Sequence, residues 1–202
     1  MDDKVTAVLD AYHELIQEQR QSPQQARPET GEDRRLLAVG PQTGRLLNVL
    51  ARSQKAPNIL ELGTSYGYSG IWLAEAARAA GGRLITMEMH DYKSAFAQDM
   101  AAKACLADYV DFKVGDAVQL IDDLAVGLDF VLVDLWKDLY VPCLEAFYPK
   151  LNPGAIIVAD NMLRPGGENV MHYGRVVRKM PGITSVLLPV GSGIEVSRYQ
   201  PE

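Results

Sequence analysis

Cysteine, histidine and net positive charge are all in short supply in this 202-residue chain, and each shortage removes a class of function. The two cysteines, Cys105 and Cys143, have no C-x-x-C spacing, which argues against a disulfide framework or a zinc site and predicts two reduced, packed thiols. His13, His90 and His172 share no spacing suited to a metal, and no elbow motif is present to seat a Ser-His-Asp triad. Nowhere do eighteen apolar residues run together, and Met1-Asp2-Asp3-Lys4 carries no apolar core of signal-peptide length. The expectation is a soluble, cytoplasmic protein with no membrane partner. A formal net charge of −6 argues against a duplex nucleic-acid binder and suits a small-molecule substrate better. Internal repeats and low-complexity tracts are also absent.

What is present is ordinary globular composition, 48% hydrophobic and 23% charged, in a length that suits one α/β domain over 1–202 and is too short for two. Val5, Val8, Leu9, Tyr12, Leu15 and Ile16 recur at helical spacing over residues 4–19. From Gln21 to Arg35 the chain turns polar, with Pro23, Pro28 and Gly31, and reads as a flexible, lid-like segment. Residues 1–35 are thus a helix and a lid, and 36–202 the catalytic core. Pro41 opens a helix through Leu46, Leu47, Leu50 and Ala51.

Strands and helices then alternate. Strands are expected at 58–62, 83–88, 110–114, 129–133 and 155–159, with helices at 68–80, 92–105, 117–124, 139–148 and 169–180. Two last strands, 184–189 and 193–199, are joined by Val190-Gly191-Ser192, short enough for a hairpin. The pattern predicts a doubly wound sheet, mostly parallel, with helices on both faces and an antiparallel hairpin strand at its end.

The densest signal is Asn58 to Gly70, where an apolar strand runs through Glu61 into glycines 63, 67 and 70 and a helix start. These glycines fall as G-x-x-x-G-x-x-G, whereas a dinucleotide turn wants G-x-G-x-x-G against a pyrophosphate. A carboxylate within the turn repels phosphates and attracts an amino or sulfonium group. Together these favour S-adenosylmethionine over NAD. Glu88, closing the second strand, sits where an acidic residue accepts hydrogen bonds from ribose hydroxyls of either cofactor. Asp116 in Gly115-Asp116-Ala117 fits either an adenine contact or an N-cap.

Two further strand ends carry chemistry. Asp134 follows the fourth strand and Asp160-Asn161 the fifth, so two carboxylates and an amide oxygen share a rim. That hard oxygen set suits Mg²⁺, or Mn²⁺ or Ca²⁺, and alternatively each residue is a cap or loop residue. Lys137 lies beside it, where cations nearby favour the neutral amine that a general base needs. Trp136 and Tyr140 fit either the core or a pocket wall.

These motifs resemble the cation-dependent O-methyltransferases, the family of catechol and caffeoyl-coenzyme A O-methyltransferases. The resemblance rests on Glu61-Leu62-Gly63 with Gly67-Tyr68-Ser69, Met87-Glu88-Met89, Gly115-Asp116-Ala117, Asp134-Leu135-Trp136-Lys137-Asp138-Leu139-Tyr140 and Asp160-Asn161, and spans most of 36–199. It implies a Rossmann-like seven-stranded sheet, Asp134, Asp160 and Asn161 as metal ligands, and Lys137 as the base. It further implies S-adenosylmethionine contacts among Val39, Glu61, Gly63, Ser65, Gly67, Ser69, Glu88, Met89, Asp116, Ala117, Asp134 and Trp136, and suggests a homodimer. The implied reaction is methyl transfer to a hydroxyl of a small aromatic vicinal diol. One departure bears on the acceptor. The catechol enzyme has a substrate-binding Glu in its penultimate strand, where this chain has Leu188-Pro189-Val190, which argues against free catechol. Two rival readings are methylation of 5-hydroxyuridine in tRNA, with Arg164, Arg175, Arg178 and Lys179 as a local phosphate contact, and a non-catalytic S-adenosylmethionine-binding subunit.

Overall fold

The computed structural model describes residues 1–21 and 32–202; most of the expected lid, residues 22–31, lies outside the described residues. Seven strands form one sheet: β1 (Asn58–Leu62), β2 (Arg83–Glu88), β3 (Val110–Val114), β4 (Leu128–Val133), β5 (Leu151–Ala159), β6 (Ile183–Leu188) and β7 (Ile194–Tyr199), in the order β3-β2-β1-β4-β5-β7-β6. The first five run parallel. The mostly parallel sheet with an antiparallel terminal hairpin is therefore what forms. β7 is the antiparallel strand and lies between β5 and β6, so the edge belongs to β6.

Side chains on a strand point alternately to opposite faces, and here each face has its own core. Ile59, Phe130, Leu132, Ile156 and Val158 enter one; Leu60, Leu62, Val131, Val133, Ile157 and Ala159 enter the other. Helices α1 (Asp3–Gln21), α2 (Pro41–Arg52), α3 (Tyr68–Ala80) and α4 (Asp91–Lys103) cover the first face. Helices α5 (Ala117–Asp122), α6 (Tyr140–Phe147) and α7 (Glu168–Val177) cover the second. Burial on both faces explains the unbroken apolar strands, and a fully buried side chain such as Phe130 contributes about 1.5–3 kcal/mol. The spacing of Val5, Val8, Leu9 and Tyr12 sets one face of α1 against α3 and α4, and all four are buried.

β5 begins four residues before the expected Ala155, because Pro153 and Gly154 lie beside a register shift in the β4–β5 pairing, where a missing ladder donor is tolerated. Among the described residues no helix is long and apolar enough to cross a membrane. β1 lies third in the sheet, with β2 on one side and β4 on the other, so the strand order reverses between β1 and β4. The crevice beyond its carboxyl end is where open parallel sheets bind ligands.

Candidate active site

The strand tips around that crevice are tied by backbone hydrogen bonds. Gly63 N and Thr64 N donate to Met87 O at 3.0 and 3.1 Å, Asp134 N to Leu62 O at 3.0 Å, Gly115 N to Glu88 O at 2.9 Å and Asp160 N to Val133 O at 3.1 Å. Gly63 is required for this closeness. Its φ of 100° lies in the left-handed region, and a Cβ there would run into the Asp134 carbonyl.

A cavity of about 500 Å³ opens over these tips, within the range of small-molecule sites. Of the candidate cofactor contacts, Gly63, Ser65, Ser69, Glu88, Met89, Ala117, Asp134 and Trp136 line it, as do Lys137 and Asn161. Its apolar wall comes from Leu36, Leu37, Leu135, Leu139 and Pro165. Four candidates do not reach it. Val39 is buried in the first core, beside the lining residue Ala38. Gly67 caps the start of α3 with φ 91°. Asp116 caps α5, accepting from Gln119 N at 3.1 Å. Glu61 sits within β1 rather than in the turn.

At one end of the cavity the Glu88 carboxylate is held from both sides. Its Oε2 accepts from Ser65 N at 2.8 Å and its Oε1 from His90 N at 3.1 Å. One bond to each oxygen leaves lone pairs facing the cavity. Ser65 Oγ donates to Leu36 O at 2.9 Å, which joins the segment before α2 to the same turn. Behind this wall Glu61 is fully buried. Thr86 Oγ1 donates to Glu61 Oε2 at 2.5 Å and in turn accepts from Thr64 Oγ1, while Glu61 Oε1 has no partner. Burial pushes the Glu61 carboxyl up to about 7, hydrogen bonds from Ser69 and Thr86 oppose the rise, and the charges of Asp134 and Glu88 add to it.

At the other end the oxygens of the fourth and fifth strand ends converge. Lys137 Nζ donates to Asn161 Oδ1 at 2.5 Å, to Asp134 Oδ1 at 3.3 Å and to Tyr140 OH at 2.8 Å. Tyr140 OH in turn donates to Asp160 O at 3.0 Å. Asp160 is 1% exposed, and Ser192 Oγ donates to its Oδ1 at 2.8 Å. Asn161 takes φ 58°, a left-handed conformation that Asn tolerates better than most residues.

Asp160, buried, and Asp134, largely but not fully buried, repel each other. Burial pushes Asp134 up to about 6, Lys137 opposes the rise, and Asp160 adds to it. Burial also raises Asp160, against hydrogen bonds from Asn161 N–H and Ser192. Among the described residues no three His, Cys, Asp or Glu side chains group to hold a metal. The expected set is two carboxylates and an amide, oxygen donors of the kind that suit a hard cation; Asp134 and Asn161 line the cavity, whereas Asp160 lies behind its wall. The Lys137 ammonium already draws Asp134 Oδ1 and Asn161 Oδ1 onto one positive centre, and the carboxylates are short of positive charge.

Two contributors escaped the sequence reading. Tyr140, weighed there as core or wall, holds Lys137; the signal was its three-residue spacing from Lys137, which is one helical turn. Ser192, read only as part of a hairpin turn, carried no signal, because its partners lie 31 and 32 residues away in sequence.

Comparison with known proteins finds O-methyltransferases among the relatives. A catechol O-methyltransferase of Niastella koreensis is 38% identical over 134 residues, covering 64% of this chain and 60% of that protein. A catechol O-methyltransferase of Mycobacterium tuberculosis is 36% identical over 132 residues, covering 65% and 60%. The matched stretch thus spans only about 60% of the length of these relatives. The structure of an O-methyltransferase from Bacillus cereus, in complex with S-adenosylhomocysteine, superposes with a TM-score of 0.78 at 24% identity, over 99% of this chain and 92% of that one, a likeness of fold. The family described as O-methyltransferase matches residues 10–199, nearly the whole sequence, and the chain belongs to that family.

Proposed function

We propose that the protein transfers the methyl group of S-adenosylmethionine to a hydroxyl of a small aromatic acceptor with vicinal oxygens, assisted by a divalent cation. The observation that carries this reading is the convergence of Asp134 Oδ1, Asn161 Oδ1 and Lys137 Nζ in a cavity that also holds the Glu88 carboxylate. Relatives named catechol O-methyltransferase support the acceptor class. Homodimer formation is part of the same proposal, and sedimentation velocity tests it.

Glu88 would take the ribose hydroxyls of the cofactor, its carboxylate already oriented by Ser65 and His90 N–H groups. S-adenosylmethionine supplies an electrophilic methyl on its sulfonium. Asp134, Asp160 and Asn161 would hold Mg²⁺, with Mn²⁺ or Ca²⁺ as substitutes. A divalent cation bound by such a set supplies Lewis-acid stabilisation of a deprotonated hydroxyl. Lys137 would take the acceptor's proton at Nζ, and Tyr140 keeps that nitrogen on the cavity side. Trp136, Leu37, Leu139 and Pro165 exclude water and orient the ring; good positioning of two reactants contributes roughly 7–11 kcal/mol.

Lys137→Ala and Asp134→Ala test these roles through S-adenosylhomocysteine release. Both variants should lose at least roughly a hundredfold in kcat. Unchanged turnover in either would sink the assignment.

A further inference from the structure

The hairpin turn between β6 and β7 lies directly against the Asp160–Asn161 corner. Leu163 N and Arg164 N donate to Ser192 O at 3.0 and 2.8 Å, and Met162 N donates to Gly193 O at 2.9 Å. Gly193, at φ 90°, has Leu163 where its Cβ would go, so the turn cannot move outward without losing this contact. The backbone thereby delivers one hydroxyl, Ser192 Oγ, to both side chains of the pair. It donates to Asp160 Oδ1 at 2.8 Å and accepts from Asn161 Nδ2 at 3.1 Å.

A serine hydroxyl has one proton and two lone pairs. Its proton is committed to the Asp160 carboxylate, so toward Asn161 it can only accept. That fixes the Asn161 amide with its nitrogen turned to Ser192 and its oxygen turned to the cavity, where it meets Lys137. Lys137, a donor only, holds the amide oxygen from the cavity side, and the hydroxyl adds the second tether, at Asn161 Nδ2.

We propose that Ser192 is a positioning residue of the cation site, holding Asn161 Oδ1 and Asp160 in the orientation that accepts a divalent ion. This rests on the cation-assisted reading above. Residues that orient metal ligands from behind typically contribute 10–100-fold to metal affinity, and a single hydroxyl belongs at the low end, about tenfold.

The test is Mn²⁺ binding to the purified full-length protein without acceptor, followed by electron paramagnetic resonance. Ser192→Ala should weaken Mn²⁺ binding about tenfold, while Ser192→Thr, which keeps the hydroxyl, should stay within about twofold of the parent. The metal-free Ser192→Ala protein loses two hydrogen bonds and should melt below the parent, but its affinity for S-adenosylhomocysteine should match the parent, since Ser192 does not line the cavity. Equal Mn²⁺ affinity in Ser192→Ala overturns the proposal. So does a parallel fall in S-adenosylhomocysteine affinity, which marks a merely structural hydroxyl. Failure of the parent to bind Mn²⁺ while it binds S-adenosylhomocysteine would instead contradict the cation-assisted reading itself.

Discussion

Glu61 is ionisable, fully buried and bonded through one oxygen only, so its charge should be visible as a pH-dependent loss of stability. Its carboxyl rises from 4.5 to about 7 on folding, equivalent to about 3 kcal/mol, an order-of-magnitude figure. A raised carboxyl pKa means that the folded protein holds a proton the unfolded chain has already released. Stability from this group is therefore complete below pH 4.5 and is lost as pH rises to about 7. Glu61→Gln keeps the shape and removes the titration. The new amide nitrogen, where Oε1 is now unpartnered, costs about 1–3 kcal/mol at every pH. The informative quantity is thus the change in the mutant-minus-parent difference, not its absolute value. Urea denaturation of both proteins at pH 5 and pH 8 should show that difference moving in favour of the mutant by about 2.5 kcal/mol, since part of the effect is already lost at pH 5. Groups remote from Glu61 titrate alike in both proteins and cancel, whereas Asp134 and Glu88, whose charges raise Glu61, are relieved of that repulsion in the mutant. A difference that stays constant between the two pH values would refute the picture of a charge stranded in β1.

Three further outcomes follow from named contacts. Tyr140→Phe removes both the acceptor for Lys137 and the donor to Asp160 O; urea midpoints should report a loss of about 1–3 kcal/mol, and kcat should fall with S-adenosylhomocysteine binding unchanged. Glu88→Gln turns an acceptor-only group into one that must face a backbone N–H with its own amide, at Ser65 or His90; isothermal titration should show S-adenosylhomocysteine binding weakened about tenfold and Mn²⁺ binding unaltered. Gly63→Ala drives a Cβ into the Asp134 carbonyl at a positive φ; thermal melting should show a destabilisation above about 1 kcal/mol.

The fold was legible where local and tertiary signals agree. β1, α3, β2 and β3 stand where apolar runs and glycines set them. The start of β5 was not, because Pro153-Gly154 normally ends a strand and survives here only beside a register shift that depends on β4. The position of β7 inside β6 follows from pairing between distant strands, which spacing does not encode. At the site, Asp134, Lys137 and Asn161 could be grouped because parallel strands end on one edge. Glu61 was placed in the turn by its neighbour Gly63, whereas the strand continues through it, and the alternation of faces turns its side chain into the protein. Ser192 reaches Asp160 from the β6–β7 hairpin, and Asp116, open to two readings, serves as a helix cap.

The most direct test of metal-dependent methyl transfer is S-adenosylhomocysteine release by purified protein with S-adenosylmethionine and either a vicinal diphenol, a caffeoyl ester or hydroxyuridine-containing tRNA, each with Mg²⁺ and with EDTA. Release with a diphenol or caffeoyl ester that EDTA abolishes is the expected result. Release that persists undiminished in EDTA, or none from any acceptor by protein that binds S-adenosylmethionine, would contradict the account.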